Sequence, residues 1–311
     1  MDTLPLHDVT PVILHQRLSH QQNRQIYLKM ECDQQAASFK IRGIGLLCQH
    51  EAAKGIKHFV CPSGGNAGYA AALAGQKLNI QTTIVVPVTT SKMACDRIIE
   101  LGATLRIQGE AWDDANRLAL ELAQAEGTAY IPAFDHPLLW QGHASLIDEL
   151  KQQIEKPDAI VLAVGGGGLM CGVIEGLHRN GWQDVAIVAC ETEGADSFRA
   201  AVEAKKLVSL PSIASIATSL GAKKVAQRAL DWVQQHDIRV ATLTDKQAVS
   251  AILNFADDLR ALVEPACGAA LVPVYEQLPV LKEFKNIVVI VCGGIGVSLA
   301  QLAKWQQAFC L

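Results

Sequence analysis

The feature that most restricts the fold is an alternation of short apolar runs with helix-period segments, beginning after Gly43. Residues 58–61, 83–86, 104–107 and 129–131 read as buried strands. Between them, 67–78, 92–101 and 112–125 carry apolar residues at helical spacing. Regular succession of this kind demands βαβ units, because parallel neighbours need a crossover long enough to hold a helix. Pro132 to Pro137 interrupts the series. A helix at 143–154, a strand at 159–164, a helix at 169–178 and a strand at 185–190 then follow. Helices at 196–204, 223–235, 246–259 and 267–278, a strand at 287–291 and a helix at 297–307 complete the pattern. Before the alternation, 11–14 and 26–30 read as short extended segments. The expected class is α/β in two lobes, with parallel-rich sheets flanked by helices. Such sheets bind ligands in clefts at strand C-termini.

At 311 residues the chain exceeds one ordinary core, so one large or two modest domains are expected. Half the residues are hydrophobic and 19% charged, which excludes disorder. A net charge of −4 leaves no basic footprint for nucleic acid. The longest apolar stretches, 159–174 and 287–303, are broken by glycines and do not read as membrane spans. Residues 1–14 include Asp2, His7 and Asp8 and lack a signal-peptide layout. Nine cysteines, scattered and without a CxxC pair, read as reduced thiols of a cytoplasmic protein. The nine histidines are dispersed and show no zinc spacing.

Four stretches could carry chemistry. Lys40 lies between Phe39 and Ile41. An ammonium in apolar surroundings loses solvation, which makes a neutral, Schiff-base-forming amine available; the plainer reading is a surface lysine after a strand. Ser63-Gly64-Gly65-Asn66-Ala67-Gly68 joins a strand to a helix, where bare amides can converge on a carboxylate and Asn66 can reach a ring oxygen. It also fits a turn with Ser63 or Asn66 as N-cap. Gly165-Gly166-Gly167-Gly168-Leu169 suits a phosphate, or else a tight strand–helix turn. As a dinucleotide fingerprint the run is incomplete: its third glycine is replaced by Met170 or Cys171, although Glu191 ends the next strand. Cys292-Gly293-Gly294 ends the last strand; a thiol is a weak, nearly neutral partner for a pyridine nitrogen, or a small buried hydrophobe. Glu191 can equally be a helix cap. Together the four stretches supply what a pyridoxal phosphate site needs.

In this arrangement the chain resembles the L-serine dehydratase/L-threonine deaminase family, which has the tryptophan-synthase-β-like fold of fold type II pyridoxal-phosphate enzymes. The likeness is carried by Tyr27-Leu28-Lys29-Met30, residues 38–44, 63–68, Gly142-His143-Ala144-Ser145, 164–169, Val263-Glu264-Pro265-Ala266-Cys267-Gly268 and 291–294. It implies a large cofactor-binding domain at 1–42 and 141–311, a small substrate-loop domain at 43–140, and the cofactor in the cleft between lobes. Lys40 matches the Schiff-base lysine and Phe39 the aromatic beside the cofactor ring. Asn66 matches the partner of the ring hydroxyl. Ser63, Gly64, Gly65, Asn66 and Ala67 match the loop that grips the substrate carboxylate. Gly165, Gly166, Gly167, Gly168 and Leu169 match the phosphate loop, and Cys292 the ring-nitrogen partner. A monovalent cation, usually potassium, matches Gly165, Glu191, Ala195, Ser197, Leu220 and Ala222.

The implied reaction is elimination of water from L-serine, giving pyruvate and ammonia, and from L-threonine, giving 2-oxobutanoate. Lys40 would take the Cα proton, with Ser63 in the catalytic loop. The cofactor phosphate, or less readily Glu191, would protonate the leaving hydroxyl. A homodimer is expected from the family. Serine racemase, cysteine synthase, an inactive cofactor-binding relative and, from another class, a NAD-binding dehydrogenase stay open as alternatives. Three departures stand out. Gln35-Ala36-Ala37 replaces the usual Pro and Gly before the lysine. Gly64 stands where many members have Ala or Ser, which predicts slack beside the substrate and slower turnover. No regulatory domain follows Leu311, so isoleucine feedback is not expected.

Overall fold

A computed structural model of the protein describes residues 4–311; residues 1–3, the start of the segment inspected for a signal peptide, lie outside the described residues. In chain order the elements are β1 (Val12–Leu14), α1 (Gln16–Gln22), β2 (Gln25–Lys29), α2 (Lys40–Ala53), β3 (His58–Cys61), α3 (Asn66–Leu78), β4 (Gln81–Val86), α4 (Lys92–Glu100), β5 (Thr104–Ile107), α5 (Trp112–Leu122) and β6 (Thr128–Tyr130). There follow α6 (Pro137–Gln153), β7 (Ala159–Ala163), α7 (Gly168–Arg179), β8 (Ala186–Thr192), α8 (Ser197–Ala204), α9 (Gln227–Trp232), β9 (Ile238–Leu243), α10 (Asp245–Leu259), α11 (Pro265–Tyr275), β10 (Asn286–Ile290) and α12 (Leu299–Ala308). Two units emerge: residues 4–8 with 34–143, and residues 9–33 with 144–311. Residues 34–42, including Lys40, fall in the first unit.

The first unit is built on a four-stranded parallel sheet in the order β5-β4-β3-β6. Strand side chains alternate between faces, and the core divides accordingly. Phe59, Cys61, Ile84 and Val86 pack with Ile41, Ile44 and Leu47 of α2 and the alanines of α3. Val60 and Val85 point the other way, onto Ala115 and Ala119 of α5. Helix α3 is rich in alanine and glycine, which lets it lie close to the strands: a β-carbon at Gly75 would stand 1.9 Å from Thr82 Oγ1.

The second unit holds a six-stranded sheet in the order β1-β2-β10-β7-β8-β9. Among the strand pairs of this sheet in the described residues, β1–β2 is antiparallel and the others are parallel. Strands β7 and β8 are buried along their whole length, as continuous apolar runs in a covered parallel sheet should be. Helix α11 is apolar all round and buried from Pro265 to Val274, so it serves as core rather than as an amphipathic cover. Thr244 and Gln247 form a capping box that starts α10.

The alternation is where the apolar runs placed it, with three departures. Helix α6 starts at Pro137, six residues before the expected start, because proline at the first helical position lacks only an N–H that has no partner there anyway. Lys40 opens a helix, α2, instead of following a strand. Helix α1 and strand β9 are additions. Among the described residues no helix is long and apolar enough to cross a membrane.

Candidate active site

Lys40 is the first residue of α2 and is half-buried. Its Nζ donates to the carbonyl of Ala133 at 2.6 Å and stands 5.2 Å from the centroid of the Phe39 ring, within range of a cation–π attraction. Burial pushes the Cys61 thiol up to about 12, while the Lys40 charge pulls it the other way. The lysine is therefore electrostatically close to the end of β3, from which the asparagine loop departs.

That loop is tightly closed. The Ser63 hydroxyl accepts from the Gly65 amide at 3.3 Å, and Trp112 Nε1 holds the preceding Pro62 carbonyl at 2.6 Å. A β-carbon at Gly68 would fall 1.7 Å from the Ser63 carbonyl oxygen, so only glycine fits. Asn66 begins α3 and is buried. The first-turn amides of a helix have no intrahelical partner and favour an anion. The slack expected at Gly64 is absent: the side chains of Thr90 and Val86 fill the space a methyl would take.

In the second unit the tetraglycine run joins β7 to α7. Gly167 is the N-cap of α7 and takes a left-handed conformation, φ 86°, which suits glycine. The Val164 amide donates to the Cys190 carbonyl, and the Ala226 amide to the Gly166 carbonyl, pinning the run from both sides. A β-carbon at Gly165 would lie 3.0 Å from Leu220 Cα and 3.2 Å from the Ser219 carbonyl oxygen. Gly165 and Leu220, two of the expected cation positions, are thus neighbours.

Glu191 is fully buried near the end of β8. Its two carboxylate oxygens accept from the amides of Phe198 and Arg199, each at 2.8 Å, and so cap the start of α8. Burial pushes its carboxyl up to about 8 against the pull of those amides. Ser197 opens α8, and its hydroxyl is buried with no hydrogen-bond partner. Ala195 pairs back to Thr192 in a bridge, and the Ala222 amide donates to the Leu220 carbonyl at 2.8 Å.

Cys292 is buried two residues beyond β10. A hydrogen bond with Cys267, then burial and the nearby Cys267, Glu264 and Cys32, push its thiol well up. At neutral pH it is an uncharged SH. The Cys32 amide donates to the Val291 carbonyl at 3.0 Å, fixing the strand end beside it. Glu264, to which no role was given from the sequence, ties this corner together. Its carboxylate accepts from Ser219 Oγ at 2.5 Å and from the Gly296 amide at 3.1 Å. Glu264 thus binds Ser219, whose carbonyl borders Gly165, and lies near enough to Cys292 for its charge to act on the thiol. The signal was Glu264-Pro265, an N-cap acid before a first-turn proline, and its partners lie too far away in sequence to be read from it.

The described residues offer two glycine-rich helix N-termini, a half-buried lysine beside an aromatic ring and a neutral thiol. Comparison with known proteins agrees. The chain is 50% identical to human L-serine dehydratase/L-threonine deaminase over 97% of this chain and 95% of that protein. It is 49% identical to human serine dehydratase-like over 96% and 93%. The crystal structure of a fungal L-serine ammonia-lyase from Rhizomucor miehei superposes with a TM-score of 0.93 at 37% identity, covering 98% of this chain and 99% of that one. The family model described as pyridoxal-phosphate dependent enzyme matches residues 3–293. The chain belongs to the family of pyridoxal-phosphate dependent enzymes.

Proposed function

We propose that the protein is an L-serine dehydratase that also deaminates L-threonine and uses pyridoxal phosphate. The observation that carries this reading is the half-buried Lys40 at the head of α2, with Nζ 5.2 Å from the Phe39 ring. The residues present fit the cofactor. The left-handed Gly167 turn leaves the first amides of α7 bare for a phosphate, and the uncharged Cys292 thiol suits a ring nitrogen that is not forced to protonate. When bound, pyridoxal phosphate supplies the electron sink for a carbanion at the substrate Cα.

The chain's own groups do the rest. Lys40 holds the cofactor and, as a free amine, takes the Cα proton. Residues Ser63, Gly64, Gly65, Asn66 and Ala67 grip the substrate carboxylate and aim the Cα–H bond. Asn66 and Phe39 hold the cofactor ring, Gly165–Leu169 its phosphate, and Cys292 its nitrogen. Gly165, Glu191, Ala195, Ser197, Leu220 and Ala222 hold potassium. The buried, unpartnered Ser197 hydroxyl supports that site. Since both Glu191 carboxylate oxygens cap α8, its share there would be the backbone carbonyl. A cytoplasmic homodimer serving amino-acid catabolism completes the reading.

Incubation with L-serine and with L-threonine, with and without potassium, tests it by release of 2-oxo acid. Lys40→Ala should abolish release, and borohydride reduction followed by peptide mapping should place a pyridoxyl group on Lys40. A label elsewhere, or D-serine as the dominant product in a chiral assay, would overturn it.

A further inference from the structure

His143 is only 1% exposed, and neither of its ring nitrogens has a hydrogen-bond partner. Buried polar atoms are nearly always paired, so an orphaned imidazole needs an explanation. Its surroundings supply one. The ring meets Phe39 edge-on, with centroids 5.0 Å apart and planes at 64°. The same Phe39 ring carries Lys40 Nζ at 5.2 Å. Two glycines bring the backbones of α2 and α6 together here. A β-carbon at Gly43 would stand 2.7 Å from His143 Cε1, and one at Gly142 only 2.4 Å from the Arg42 carbonyl oxygen. The Cε1–Nε2 edge of the imidazole thus approaches a backbone that only glycine leaves bare, and the ring is enclosed beside Phe39.

We infer that His143 is a positioning residue: its uncharged imidazole braces the Phe39 ring and, through that ring, Lys40. The inference rests on the reading of Lys40 as the cofactor lysine. The charged or titratable groups that act on His143 are Lys40 and Arg42 from α2 and His7 from the N-terminal segment, and all three oppose its protonation. Burial and these charges hold it well below its usual 6.5. As pH falls past 6.5 the unfolded chain takes the proton and the folded chain does not, so stability drops below that value. When His143 finally accepts a proton, the brace acquires a charge next to Lys40 and is expelled.

The test compares wild type with His143→Gln and His143→Phe. In cofactor-free protein, the urea midpoint of the wild type should fall as pH is lowered from about 7 to about 5.5, and fall less in both variants. The histidine ring resonance missing from the variants should show no titration near the ordinary value of 6.5. In the holoenzyme, His143→Gln should lower kcat on the order of tenfold with KM for serine little changed, because misplaced groups lose rate more than binding. His143→Phe keeps a ring that cannot be protonated; it should recover part of kcat and lack the acid limb of the kcat profile. A His143 resonance titrating at or above 6.5 would overturn the inference. So would variants with wild-type kcat and an unshifted acid limb. If the wild type carries no borohydride-fixed label on Lys40, the cofactor reading itself falls, and this inference with it.

Discussion

The methyl of Thr90 stands 2.4 Å from the position a β-carbon on Gly64 would occupy, and its hydroxyl 2.9 Å. A methyl added at Gly64 has no void to fill. Gly64→Ala should therefore destabilise the protein by about 1–3 kcal/mol, the usual range for overpacking, and bring no gain in turnover. Gly64→Ala with Thr90→Ala should recover most of that stability. Urea midpoints and kcat for the three proteins decide it; a faster single variant would show that Thr90 yields easily.

Ala37 sits three residues before the lysine with φ 52°. A left-handed conformation costs a residue with a β-carbon about 1–2 kcal/mol, and glycine avoids most of that cost. Ala37→Gly should raise the thermal midpoint, with a gain of about 1 kcal/mol at most once the added freedom of the unfolded chain is set against it. An unchanged or lower midpoint would mean the strain is relieved elsewhere.

Gly167 combines φ 86° with a near contact: its β-carbon would stand 2.6 Å from that of Ala229. Gly167→Ala is expected to weaken pyridoxal phosphate binding at least tenfold, the equivalent of about 1.4 kcal/mol. Pairing it with Ala229→Gly removes the contact but not the backbone strain, so only part of the affinity should return. Titration of the cofactor absorbance band measures both.

If potassium occupies the proposed site, Glu191 makes its binding depend on pH. Its carboxyl is raised to about 8, so between its ordinary value of 4.5 and 8 the folded state holds a proton that the unfolded state has released. Stability from this group is full below 4.5 and is lost as pH rises to 8. A cation bound nearby favours the ionised form. The stabilisation by potassium should therefore grow between about pH 6 and 8.5, measured as the difference in urea midpoint between potassium and choline chloride. Equal stabilisation at both ends would place the cation away from Glu191.

Much of the fold was legible because β3, β4, β7 and β8 are largely buried apolar runs, and even the exposed edge strand β5 keeps a recognisable one. β3 and β5 lie where the apolar runs placed them, and β4, β7 and β8 differ only at their ends. What escaped has physical reasons. Pro137 reads as a breaker but starts α6. Strand β9 lies at a sheet edge and is half-buried, so it lacks a continuous apolar run. At the site, glycine runs and the lone lysine stood out because each uses a residue type its position would not otherwise need. The Thr90–Gly64, Glu264–Ser219 and His143–Phe39 contacts join residues distant in the chain, and nothing local announces them. The absence of the usual Pro and Gly from Gln35-Ala36-Ala37 was visible, but not that the backbone at Ala37 takes a glycine-like path.

Strand β10, at residues 286–290, inserts between β2, at residues 25–29, and β7. During synthesis, β2 leaves the ribosome early and waits for a central partner made almost last. Until then Ile26 and Leu28, both fully buried in the finished protein, have no strand to pair with on that side. Long-range parallel pairing of this kind is slow and exposed to aggregation. A nascent chain halted before residue 286 should therefore depend on chaperone cover, and the larger unit should acquire protease resistance only once β10 has emerged.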